Sequence, residues 1–188
     1  LPGDSGKEFE YSLQKTIELK PDTVRSHPIV ILRDTVLAEE FQRGNYQPLS
    51  LAEAVRLCCL ARIKLSAVGI RVIRTGLHIT KEMENEGTII AGPVHPAFGD
   101  LVLSTIFYEE TVKALNILSP QPAEIRFELH NQDESIFRGW QSANIKSIKK
   151  LYPLTEIKVG VSAQQKRGVV SIRTGQGQSL QTVIPGFF

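Results

Sequence analysis

The stretch SLAEAVRLCCLARIKLSAVGIRVIRTGL, residues 50–77, decides the fold class. Ser50 and Glu53 spell a capping box, and Ala54, Leu57, Ala61, Leu65 and Val68 keep one helical face apolar until Gly69. Ile70 to Leu77 then reads as a strand, so one glycine separates a helix from the strand it feeds. The same alternation extends outward on both sides. Ser5 and Glu8 form another capping box, and Phe9, Leu13 and Ile17 mark a helix that stops at Pro21. Thr23 to Leu32 is a β-rich run broken at His27-Pro28, Leu37 and Phe41 mark a short helix closed by Gly44, and Phe98, Leu101, Tyr108, Val112 and Leu115 stripe a last long helix. Helices alternating with near-continuous apolar strands predict an α/β fold with a parallel sheet. Two strands are too few to close such a sheet. The expectation is an exposed edge that invites self-association, or cover from strands that precede Leu1.

The remaining third has a different rhythm. Ile125, Phe127 and Leu129 alternate with Arg126, Glu128 and His130 as a half-buried strand, and Ile145, Ile148 and Leu151 face one side of a helix. Ile157, Val159 and Val161 predict a second strand, Val170 with Ile172 a third, together a small β-α-β-β module. Charge divides the chain at the same place. Through Ser119 there are 13 Lys and Arg against 15 Asp and Glu, from Pro120 to Thr174 there are 9 against 5, and Gly175 to Phe188 carries no charge. The joint Ser119-Pro120-Gln121-Pro122 is the expected boundary. The expected organisation is therefore 1–119, 120–174 and a tail over 175–188.

Composition excludes several classes. With 41% hydrophobic and 22% charged residues the chain is globular, and no apolar run approaches the ~20 residues of a membrane helix. Its two cysteines, Cys58 and Cys59, are adjacent in a helical stretch, so they read as core residues without a disulfide framework in a reducing, cytoplasmic setting. No His or Cys spacing suits a metal. No glycine-rich phosphate cradle opens a helix. Each of the four histidines, His27, His78, His95 and His130, reads alone as a hydrogen-bonded structural or surface residue. His27 and His78 stand at strand exits, where parallel folds bind ligands. Gly92-Pro93-Val94-His95-Pro96 is either a rigid helix entry or the wall of a pocket. Arg138, Lys146, Lys149, Lys150, Lys166 and Arg167 form a basic set that suits RNA phosphates, with Trp140 for stacking, or else a solvated face. Leu1-Pro2-Gly3-Asp4 reads as the exit loop of a strand, so the chain is expected to be the C-terminal part of a longer protein.

In order along the chain, Leu1-Pro2-Gly3-Asp4-Ser5, Lys20-Pro21-Asp22-Thr23-Val24-Arg25-Ser26-His27-Pro28, Thr35-Val36-Leu37, Gly44-Asn45-Tyr46-Gln47-Pro48-Leu49-Ser50, Gly69 to Leu77 and Ala91-Gly92-Pro93-Val94-His95-Pro96-Ala97-Phe98 resemble the C-terminal half of a radical S-adenosylmethionine (SAM) protein. The resemblance runs to about Arg173 and is strongest to the bacterial group similar to the Elongator catalytic subunit and to proteins related to oxygen-independent coproporphyrinogen oxidase. It implies the last part of a partial (β/α)6 TIM-like barrel and a parent that is an oxidoreductase or transferase holding SAM and a [4Fe-4S] cluster. The family's Cys-x3-Cys-x2-Cys loop is absent, so the fragment is expected to bind no cluster and to be inactive alone. By position, Pro2, Gly3, Arg25, His27 and Pro28 fall on the cofactor side, and Arg74, His78, Gly92 and His95 on the substrate side. The implied partner is the upstream half of its own polypeptide. The alternative is a non-catalytic RNA- or protein-binding module.

Overall fold

The computed structural model describes residues 2–78, 83, 87–118 and 122–187. The acidic residues Glu82, Glu84 and Glu86, the joint at Ser119-Pro120-Gln121, and Leu1 and Phe188 lie outside the described residues. The fold is mixed α/β. Contacts divide it into two units, Leu1–Val102 and Leu103–Phe188. Among the described residues no helix is long and apolar enough to cross a membrane.

In the first unit α1 (Gly6–Leu19) leads to β1 (Thr23–Ser26) and β2 (Ile31–Leu32), then α2 (Val36–Gln42), α3 (Leu51–Ala67), β3 (Arg71–Thr75), β4 (Ile89–Ala91) and the start of α4 (Phe98–Ile117). Both expected capping boxes form, at Ser5 with Glu8 and at Ser50 with Glu53. The end of α3 shows why the chain turns where it does. Gly69 N–H donates to Ser66 O at 3.0 Å and Ile70 N–H to Leu65 O at 3.0 Å, the paired bonds of a Schellman stop. Ile70 is thereby folded back beside Leu65, and both join Leu13 and Ala61 in one buried cluster. Val24 and Val72 pack against that cluster from β1 and β3.

β1 and β3 pair in parallel, as the alternation predicts, with the helices between them in sequence. The β-rich run over residues 23–32 does not form one strand. His27-Pro28 interrupts it, since proline donates no ladder bond, and β2 pairs antiparallel with β4 in a separate two-stranded sheet. β4 was not anticipated: three residues are too few to show a period.

The second unit holds the rest of α4, β5 (Glu124–His130), α5 (Glu134–Arg138), α6 (Ala143–Leu151), β6 (Glu156–Ser162), β7 (Val169–Thr174) and β8 (Ser179–Val183). Its sheet runs β6-β5-β7-β8, with β5 and β6 parallel and the other pairs antiparallel. The expected β-α-β-β order is present, and the supposed tail corrects to a fourth strand. Gly175-Gln176-Gly177 is its hairpin turn, with Thr174 N–H on Gln178 O at 3.0 Å. That turn signal was in the sequence. Phe107, Phe127 and Phe137 fill the core edge to face, and Phe187 adds its ring 5.5 Å from Phe107. Asn144 Nδ2 ties α6 to α4 through Ser104 O at 3.0 Å, and reaches Phe137 O at 2.9 Å.

Gly76 ends β3 at φ +86°, and a Cβ there would lie 2.8 Å from the Phe98 side chain that opens α4. Gly76→Ala therefore combines a left-handed backbone with a core overlap and is expected to cost roughly 2 kcal/mol or more. Urea unfolding checks this; an unchanged midpoint would show that Phe98 gives way freely.

Candidate functional site

The last pair of the parallel ladder is Ser26 with Thr75, and Gly76 N–H closes it on Ser26 O at 2.8 Å. Beyond that bond the two chains leave as His27-Pro28 and Leu77-His78, so both strand-exit histidines stand at one end of the sheet, exposed. The β2–β4 pair brings the Gly92 segment to the same place. A Cβ on Gly92 would lie 2.9 Å from Val30 Cα and 3.1 Å from Ile29 O, so only glycine allows the approach. Pro28, Val30, Leu77, Pro93, Val94, His95 and Phe98 line a cleft there. Its volume is about 10 Å³, the room of one water. Pro2 and Gly3 stand exposed ahead of α1 and take no part in this lining. A roomier hollow of about 490 Å³ lies at the opposite, entry ends of β1 and β3, between Lys20, Asp22, Gly69 and Arg71.

His95 has a structural task. Its Nδ1 accepts Ala97 N–H at 3.0 Å, and its carbonyl accepts Phe98 N–H at 3.2 Å, which fixes the entry to α4. His130 does the same for the turn after β5, accepting Gln132 N–H at 3.1 Å. The thiols are core groups. Cys58 Sγ lies 3.4 Å from Ser26 Oγ and Cys59 Sγ donates to Val102 O at 3.4 Å. Burial pushes the Cys58 thiol above its usual range, partly offset by the Ser26 hydroxyl, which disfavours the thiolate.

These residues do not fit an iron–sulfur cluster. Among the described residues no group of three His, Cys, Asp or Glu is placed to hold a metal. A [4Fe-4S] cluster needs more thiolates than two back-to-back core cysteines present. The cleft is also far too small to enclose a nucleoside.

The basic set divides by role. Arg167 Nε pairs with the fully buried Asp133, its Nη1 reaches Gln132 Oε1 at 2.6 Å, and its guanidinium lies 5.0 Å from the centre of the Phe187 ring. Asp133 also accepts Gly168 N–H at 2.8 Å. Arg167 is thus committed to holding the β6–β7 turn. Arg138 pairs with Glu134 at 2.8 Å. Lys146, Lys149 and Lys150 are exposed on α6, and Lys166 is exposed in the turn. Sequence reading missed Asp133, a single acid in a polar run. It also missed Arg62, which reaches Val72 O at 3.3 Å from α3.

Two outcomes follow from this geometry. Arg167→Gln leaves Asp133 buried without its counter-charge and is expected to cost about 3 kcal/mol in urea unfolding; a loss of RNA affinity at unchanged stability would contradict it. Anaerobic treatment of the isolated chain with iron and sulfide should leave it colourless. A brown protein with stoichiometric iron would overturn the thiol geometry.

Residues 21–108 match the family model described as the Radical_SAM C-terminal domain. No curated protein and no solved structure matches the chain. The matched stretch contains β1, β3, the Gly92 segment and most of α4, which is the whole of the strand-end site. Residues 21–108, just under half of the chain, are therefore similar to the C-terminal domain of radical SAM proteins.

Proposed function

We propose that the first unit is the closing wall of a partial (β/α)6 barrel in a radical SAM enzyme, an oxidoreductase or transferase of the cytoplasm. The subgroup proposed is the one similar to the Elongator catalytic subunit and the coproporphyrinogen oxidase-related proteins. The observation that carries it is the parallel β1–β3 pair inside the matched domain, with His27 and His78 at one end. In such a barrel the carboxyl ends of strands form the reacting face. The cluster cysteines belong to the rest of the polypeptide, which is then this chain's partner. The cluster and SAM supply one-electron chemistry; this chain contributes wall and orientation. Pro2, Gly3, Arg25, His27 and Pro28 take the cofactor side. Arg74, His78, Gly92 and His95 take the substrate side, with Gly92 and His95 shaping backbone and helix entry.

A second reading, a non-catalytic RNA-binding module, has one observation in its favour. Trp140 is 59% exposed just ahead of α6, and Lys146, Lys149 and Lys150 line that helix without a carboxylate partner among the described residues. Bases stack on such aromatics and phosphates pair with such lysines.

The full-length parent, reconstituted with iron and sulfide and reduced in the presence of SAM, is expected to release 5′-deoxyadenosine. His27→Ala and His78→Ala should slow it on the order of tenfold at unchanged iron content. A reconstituted parent that releases none overturns the barrel reading. For the second reading, Lys149→Glu with Lys150→Glu should weaken single-stranded RNA binding and flatten its salt dependence, by roughly 0.7 in log–log slope per lost contact. Equal binding at low salt would leave the lysines a solvated helix face.

A further inference from the structure

The parallel ladder between β1 and β3 slips by one residue. Val24 stands opposite Val72, but Arg25 stands opposite Arg74, leaving Ile73 as the extra residue of a bulge. Val24 and Val72 pack on the Leu65–Ile70 cluster, and Ser26 touches Cys58, so those side chains take the helix-covered face. Arg25, Ile73 and Arg74 are exposed, Ile73 at 53%, and fall on the other face. The bulge thus sets two guanidinium side chains on neighbouring strands, whose backbones run about 4.8 Å apart. Without the slip, Arg25 would face Ile73.

Like charges directly opposite on adjacent strands repel. The second unit shows how this chain handles that cost. Arg126 and Arg173 are also register partners, and Glu128 bridges them, 3.2 Å from one and 3.0 Å from the other. Arg25 and Arg74 have no carboxylate partner among the described residues. Nor does either guanidinium donate to a backbone carbonyl there. Two guanidiniums carried by register partners, exposed near the strand exits and without an ion-pair partner among the described residues, supply the donors of a fork for an oxyanion. Charge favours one class: a carboxylate can bridge such a pair, as Glu128 does, but leaves one positive charge over, whereas a phosphate dianion balances both.

We propose that Arg25 and Arg74 together form a binding site for a phosphoryl group. It deepens the barrel reading, on which it rests only in taking Arg74 as substrate-side; Arg25, placed on the cofactor side, is its register partner, so the phosphoryl group sits where the two sides meet and points to a phosphorylated substrate. The test needs neither cluster nor SAM. The 188-residue chain is titrated with inorganic phosphate at low salt while the arginine Nε–H signals are followed by NMR. The signals of Arg25 and Arg74, identified by their loss in Arg25→Gln and Arg74→Gln, should shift together along one binding curve. Each variant should weaken phosphate at the remaining arginine about tenfold or more. Arg126→Gln should change nothing. Should a glutamine variant fail to fold, Arg74→Lys keeps the charge, loses the fork and should bind several-fold more weakly than wild type. The proposal is overturned if neither signal moves, if the variants bind as wild type does, if acetate binds as tightly as phosphate, or if Arg126→Gln weakens binding equally. Because 5′-deoxyadenosine release by the parent is read separately, failure here leaves the barrel reading standing, and the reverse also holds.

Discussion

The first unit depends on the way α3 is stopped. Once Gly69 and Ile70 close their bonds on Ser66 and Leu65, the chain reverses onto the helix it has just left, and Ile70 enters the core that Leu65 already occupies. The next residue with an inward position is Val72, which meets Val24 across the ladder. One helix stop therefore sets the start of β3, its parallel alignment with β1 and the end of the sheet at which both strands exit. The energetic weight lies in the buried aliphatic cluster from Leu13, Ala61, Leu65 and Ile70, since two strands alone make a marginal sheet.

Close packing then shapes the strand ends more than polar chemistry does. Gly76 admits Phe98 beside β3, Gly92 admits the Val30 backbone, and His95 spends its Nδ1 on the helix entry. What is left between them holds about one water. The exposed groups at this end, His27, His78 and the Arg25–Arg74 pair, are thus presented on an open surface rather than in a closed pocket. A surface of this kind suits one wall of a larger site.

The second unit treats its charges differently. Asp133 is wholly buried yet satisfied by Arg167 and a backbone N–H, and Glu128 bridges the arginines across β5 and β7. A net positive balance over this stretch is therefore a poor guide to free cations. Among the described residues of this unit, only Lys146, Lys149 and Lys150 of α6 and Lys166 of the β6–β7 turn stay free of carboxylates, and the α6 lysines follow an exposed Trp140.

The alternation of helix and strand was legible in the sequence because it rests on local physics. Capping boxes at Ser5 and Ser50, the Gly69 stop and the period-two pattern of β5 each act within a few residues. So were the core placement of Cys58 and Cys59 and the position of the exit histidines. β8 was within reach of the sequence, but the uncharged Gly-Gln run masked its hairpin turn. Nothing local could reveal the pairing of β2 with β4, or the role of Asp133, whose partner sits more than thirty residues away. Arg25 and Arg74 read from sequence as separate features, one on each side of a site. Their adjacency comes from a one-residue slip between strands, and register is settled by which side chains the core accepts from both strands at once. The sequence by itself determined the helices and the longer strands; tertiary packing decided the short β2–β4 pair and which charges meet, because those depend on distant segments sharing one hydrophobic face.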